Sequence, residues 1–446
     1  MKKAYLLYNK VMKKTILVSL LVGAICLNVS AQSGTNSPYS QYGLGTLADQ
    51  SQGFNRGMSG LGYALRSGSQ VNVLNPASYS AVDSLTMLFD VGLSLQITNF
   101  KEGDRKLNAR NANIEYAVAL FRVLPKFGVS VGLLPYTNVG YDYSATERIS
   151  NSNTTATQTY SGSGGIHQAY LGLGWNVVSG LSLGANFSYL WGHYDRFAKV
   201  TSNNSYVNTI NRNYCADISS YKIDLGVQWE QPVGKSDFVT LGATVGLGHK
   251  LGADPSVNIT TTNALNGTKN TIGDTISNGL SIPLTIGGGL AYRHGRKLTV
   301  GVDYNLQKWG SLEYPELSET SQKYVMKSGL LKDRHKFTVG AEWVPGEAGR
   351  VLNESVRSIF KRIHYRVGAS YATPYYTING KDGPKELSVS VGLGIPIFNE
   401  WNSRSLLNIS GQWVHTSAKD LITENSFRIN VGITFNERWF QKWKVK

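Results

Sequence analysis

The sequence predicts an all-β fold: a 14-stranded antiparallel transmembrane β-barrel with an N-terminal plug segment. Three observations lead there. Apolar residues recur at every second position over fourteen separate stretches, the period of a strand with two unlike faces. Several stretches reach about ten residues, the length a tilted strand needs to cross a bilayer. The links between stretches are alternately short and long, as expected of a barrel with tight turns on one side of a membrane and large loops on the other. The composition agrees, with 48 Gly and 25 Tyr but only 16% charged residues.

The chain opens on Lys2, Lys3, Lys10, Lys13 and Lys14, followed by an apolar run from Ile16 to Val29 and the small-residue site Val29-Ser30-Ala31. Residues 1–31 therefore read as a secretory signal peptide cleaved after Ala31, and the second Met-Lys-Lys, at Met12, is an alternative start. Ile25 is too large for a lipoprotein site at Cys26. Cleavage leaves Cys215 as the single cysteine, so an exported chain without an internal disulfide is expected. The net charge is +15 and stays basic after five leader lysines are lost. That charge is scattered over loops and one tail, which argues against a nucleic-acid partner.

Residues 32–84 do not alternate. They are rich in Gly, Ser and Asn, yet carry spaced apolar residues such as Leu44, Phe54, Met58, Leu61 and Val73. That spacing is wrong for pure disorder. It fits a plug inside the barrel or a cap beneath it.

The barrel is expected over residues 85–436. Its first strand shows the beat best, with Leu85, Met87, Phe89, Val91, Leu93, Leu95 and Ile97 on one face. The remaining thirteen begin near Ile114, Phe127, Ala169, Leu181, Tyr221, Val239, Leu280, Leu298, Phe337, Tyr365, Leu387, Leu407 and Phe427. The apolar series, including Ile114, Tyr116, Val118 and Leu120 in the second strand, is expected to face lipid. Aromatics close many runs, among them Trp175, Trp229, Trp343 and Phe435, as at membrane interfaces. Tight turns are expected at Val123–Lys126, Val177–Gly180 and Arg293–Arg296. Long polar outer loops are expected at Tyr141–Gly162, Gly192–Asn213, Lys250–Thr275 and Gly310–Arg334. Val344–Ile363 breaks the rule, being a long link on the inner side, and its VLNESVRSIFKRI reads as a short amphipathic helix. Residues 437–446 form a basic aromatic tail, either a solvated lipid-contacting end or a docking peptide.

Polar residues between the apolar positions should face the lumen. Asp90, Glu115, Lys222, Asp224, Asp303, Arg366 and Arg428 are the candidate lumen network that holds the plug, with Glu230 and Glu342 beside them. Seven histidines without ligand spacing and one mature cysteine give no metal site, and no cofactor is expected. Gly180-Leu-Ser182-Leu-Gly184 matches a hydrolase elbow, but it opens a strand after a tight turn rather than leading into a helix. With no nucleophile, base and orienting group in one set, an enzyme is not expected.

The stretch GFNRGMSGLGYALRSGSQVNVLNPASYSAVDS, with Asn75, Pro76 and Ala77 shortly before the first strand, resembles the N-terminal hatch of the FadL family. Those are outer-membrane transporters of long-chain fatty acids and other hydrophobic compounds. The resemblance implies a plugged fourteen-stranded barrel in the Gram-negative outer membrane that passes a hydrophobic small molecule from an outer groove to a gap in its wall. Pro135, in the third strand, is the natural place for such a lateral opening; it also reads as a simple strand end. The outer loops are rich in Asn, Thr and Ser and lack a greasy groove. A second function is therefore carried forward: a non-transporting structural or docking subunit of an outer-membrane assembly or secretion complex, with envelope proteins as partners.

Overall fold

The computed structural model describes residues 34–84, 86–148, 153–318, 320–346, 360–398 and 404–438. The leader, residues 351–359 of the helix expected over 351–363, and the tail beyond Arg438 lie outside the described residues.

Fourteen strands form one closed antiparallel barrel: β1 (Thr86–Glu102), β2 (Arg105–Leu124), β3 (Phe127–Arg148), β4 (Thr155–Val178), β5 (Leu181–Ser202), β6 (Thr209–Pro232) and β7 (Asp237–Gly246). They continue as β8 (Thr285–His294), β9 (Leu298–Gln307), β10 (Arg334–Trp343), β11 (His364–Ala372), β12 (Lys385–Phe398), β13 (Arg404–Ser417) and β14 (Thr423–Arg438). Each strand pairs with the next in sequence, and β14 closes on β1 from Thr86↔Arg438 to Lys101↔Thr423. Closure pairs the backbone around the wall, where an unpaired group in hydrocarbon would cost several kcal/mol, except between the outer parts of β2 and β3.

The outer surface carries the alternating apolar series: Leu95, Leu133, Leu171, Leu225, Val302 and Val391 are all exposed. Trp175, Trp229, Trp343 and Phe435 are exposed toward the end of the barrel that carries the short turns, where an interfacial belt belongs. The alternate positions are buried and mostly polar or glycine.

Three expectations are corrected. The second strand changes face along its length. A bulge sets Gly92 against Tyr116 and Leu93 against Ile114, so Glu115 is the extra residue. Ile114 faces out, while Tyr116, Val118 and Leu120 turn inward and are buried. Second, β8 begins at Thr285 rather than Leu280. Leu280 and Ile282 are buried in an interior cluster with Trp309 and Leu251, and Pro283 precedes the strand. Third, two of the expected outer loops are largely strand. β4 and β6 are each 24 residues long, so at about 3.3 Å per residue they reach far beyond the hydrocarbon layer. Above the membrane both strand faces are wet, so nothing enforces an alternating sequence there. The Lys250–Thr275 link likewise folds into a hairpin, Ser256–Thr262 with Lys269–Thr275, paired to the outer half of β6. A smaller hairpin, Tyr314–Leu317 with Tyr324–Lys327, lies in the Gly310–Arg334 link.

Candidate functional site

Residues 34–84 are the part of the chain that touches the inward face of nearly every strand. Their last turn is built by the Asn75-Pro-Ala tripeptide. Pro76 starts a short 3-10 helix, Pro76–Ala81, and Asn75 caps it, its Oδ1 accepting from the Ala77 amide at 3.1 Å. The other half of the same amide ties the helix to the wall: Nδ2 donates to the Tyr63 carbonyl at 2.7 Å and to the Val227 carbonyl of β6 at 3.1 Å. Asn75, Pro76 and Ala77 are all buried.

Glycines on the strands make this approach possible. A Cβ on Gly226 would stand 2.2 Å from Asn75 Oδ1, one on Gly184 2.3 Å from the Pro76 carbonyl carbon, and one on Gly128 2.1 Å from the Tyr79 oxygen. Gly242 is similarly pressed by Tyr63, and Gly368 by Met58. All lie on the inward parity of their strands, so the segment lies backbone to backbone against the wall.

Charged side chains fix the same segment at mid-height. Arg56, 1% exposed, donates to Glu115 Oε2 at 3.0 Å, to Asn430 Oδ1 at 3.1 Å and to the Ser51 carbonyl at 3.0 Å. Ser94 holds the other Glu115 oxygen. The bulge that inverts β2 is what brings Glu115 to Arg56. Asp90 accepts from the Tyr116 hydroxyl at 3.2 Å, and that hydroxyl accepts from the Gly53 amide at 2.7 Å. Arg366 donates to Glu342 and to Asn408, each at 2.6 Å, and reaches Gln70 at 3.3 Å. Asp303 Oδ2 accepts the Gly62 and Tyr63 amides at 2.6 and 2.9 Å.

The predicted residues thus fall into two groups. Glu115, Arg366 and Asp303 bond the N-terminal segment directly, and Asp90 does so through Tyr116. Lys222 and Asp224 pair with each other, and Arg428 donates to Gln96 at 2.8 Å; these are wall-to-wall contacts. Sequence reasoning missed Arg56 and the glycine bed. The bed has a sequence signal, a glycine on the inward parity of strand after strand; Arg56 has none without its partner.

Pro135 sits at a discontinuity in the wall. The β2–β3 ladder runs from Leu124↔Phe127 to Ala117↔Leu133 and goes no further. Pro135 and Thr137 of β3 face consecutive residues of β4, which leaves Tyr136 as a bulge. Beyond this point the N-terminal segment stands in for β2. The Pro135 carbonyl accepts from Gln50 Nε2 at 2.7 Å, the Tyr136 carbonyl accepts from the Ala48 amide at 3.0 Å, and Thr46 and Leu47 pair with Asn138 and Thr137. Ser40 Oγ accepts the Gly140 amide at 3.0 Å. A seam between β2 and β3 is therefore lined from inside by residues 40–50.

Among the described residues two cavities stand out. One, of about 270 Å³, lies within the barrel and is lined by Asp49, Glu115, Asp303, Arg334, Lys336 and Arg428 among others. The other, of about 740 Å³, opens at the outer mouth among tyrosines and Arg196. A lining with this many charges does not suit a fully apolar cargo. Among the described residues no cluster of His, Cys, Asp or Glu is placed to hold a metal ion.

Comparison with known proteins bears on the whole chain. A family model described as BamG matches residues 11–446. The solved CymD monoaromatic hydrocarbon channel is similar at a TM-score of 0.59 and 12% identity, covering 90% of this chain and 100% of that one. The Ralstonia pickettii toluene transporter TbuX is similar at 0.58 and 13% identity, covering 88% and 99%. A Pseudomonas aeruginosa FadL homologue gives 0.58 and 11%, covering 87% and 99%. These likenesses place the fold with the FadL-type outer-membrane barrels, as the Asn75-Pro-Ala stretch implied. No curated protein matches the chain.

Proposed function

Since the chain belongs to the BamG family, we propose that it serves as a non-conducting structural or docking subunit of an outer-membrane assembly complex. The observation that carries this reading is the way the N-terminal segment is held. One buried ion pair and further charge-assisted hydrogen bonds tie it to the wall on several sides, and the space left beside it is charged. Such a filling suits a rigid post better than a path for apolar molecules. The tall β3–β6 hairpins offer surface to partner proteins at the outer mouth.

A second reading has its own support. The seam beside Pro135, together with the fold shared with hydrocarbon channels, favours lateral release of a hydrophobic compound into the membrane. Depleting the protein in the cells that make it separates the two. The docking role predicts a general fall in other outer-membrane barrels, measured by quantitative proteomics of isolated outer membranes. Unchanged barrel levels, with loss only of uptake of a hydrophobic compound, would overturn it in favour of transport.

A further inference from the structure

The cavity of about 740 Å³ at the outer mouth contains an unbalanced charge. Arg196, near the outer end of β5, is 8% exposed. Its Nη2 donates to the Gly43 carbonyl at 2.7 Å and its Nη1 to the Tyr314 hydroxyl at 3.2 Å. Its Nε, itself closed to the cavity, has no hydrogen-bond partner either. Among the described residues no carboxylate lies within ion-pair distance of it. Among the described residues the other buried arginines are paired, Arg56 with Glu115 and Arg366 with Glu342. A buried guanidinium without a counter-ion is costly, and the missing partner is the natural content of the space it faces.

The rest of the lining keeps that imbalance. Arg212 lines the same cavity, and among the described residues no carboxylate pairs with it. Lys327 and Glu316 are there too, but they neutralise one another at 2.6 Å. Two positive charges are left over. The walls are flat rings: Tyr141, Tyr160, Tyr194, Tyr314 and Tyr324 all contribute, and the Arg196 guanidinium lies 4.3 Å over the Tyr194 ring. Rings present faces to other rings, whether aromatic or the C–H face of a sugar, while a straight alkyl chain gains nothing specific from them. The volume is that of an ordinary small-molecule site.

We propose that this outer cup binds a carboxylate carried on a six-membered ring, with the carboxylate on Arg196 and Arg212 and the ring between tyrosines. The chemistry has two sources, an aromatic acid or a uronic-acid sugar. The test is calorimetric titration of the full mature chain in detergent micelles with benzoate, glucuronate, their neutral amides and hexanoate. Binding of one or both ring acids is expected, and the arm that responds names the source. The matching amide and the Arg196→Gln variant should each bind at least about tenfold more weakly, the worth of one charge-assisted contact. Arg212→Gln, on the rim, should weaken binding less and serves if Arg196→Gln does not fold. Equal binding of acid and amide, hexanoate binding as tightly as the ring acids, or no heat from any ring acid at tens of millimolar would overturn the proposal.

Discussion

Replacing Arg56 by Met tests how the N-terminal segment is held. The substitution keeps much of the side-chain length but removes the charge. It leaves the Glu115 carboxylate buried without its cation, and it frees the Ser51 carbonyl and the Asn430 amide oxygen. Breaking a buried pair from one side costs about 3–5 kcal/mol, because the abandoned charge keeps its desolvation penalty. Removing both charges, in Arg56→Met with Glu115→Gln, should return about 1–3 kcal/mol of that loss, the coupling expected of a contacting pair. The assay is urea unfolding of the barrel in lipid vesicles for wild type, both single variants and the double variant, with protease cleavage inside residues 34–84 read in parallel. Arg56→Met should open the segment to protease while the strands stay protected. A single variant as stable as wild type, or a cycle with no coupling, would refute the claim that this pair anchors the segment.

Other consequences follow from the same geometry. Gly226→Val would press a Cβ to 2.2 Å from Asn75 Oδ1 and should cost about 1–3 kcal/mol by overpacking. Gly288→Ala, at a position with nothing within 4 Å, should be neutral in the same urea unfolding assay. Asn75→Ala removes one cap and two carbonyl contacts and should cost about 1–2 kcal/mol, with faster proteolysis near Pro76. Hydrogen exchange should find the amides of 105–113 that point toward β3 less protected than amides of the fully paired β4–β5 ladder at Tyr160–Ile166. Brominated lipids should quench the fluorescence of Trp175, Trp229 and Trp343, which face outward; an unquenched protein would contradict the assignment of the lipid face.

What the sequence made legible was whatever the bilayer dictates. Lipid on one side and lumen on the other force a two-residue beat, so all fourteen strands could be placed. Where the membrane ends, so does the constraint, and the outer halves of β3 to β6 carried no signal that distinguished strand from loop. The face change at Glu115 was hidden because one inserted residue shifts parity without changing composition. Asp303, Glu115 and Arg366 were readable as inward polar residues. Their partners at Gly62, Arg56 and Gln70 depend on how a non-periodic segment threads the barrel, which no local pattern encodes. Pro135 could be read as an irregularity, but the replacement of β2 by residues 46–50 could not. The glycine bed was readable in principle, since an inward glycine recurs along the strands; its meaning needed the segment that lies on it.

The most direct test of a non-conducting docking subunit is native mass spectrometry of the protein released from its own membranes in mild detergent. A docking subunit should emerge at fixed stoichiometry with one or more envelope proteins and with no hydrophobic small molecule within the barrel. A lone barrel that carries such a molecule, and loses it when Pro135 and the seam are altered, would rule out the docking role and make transport the function.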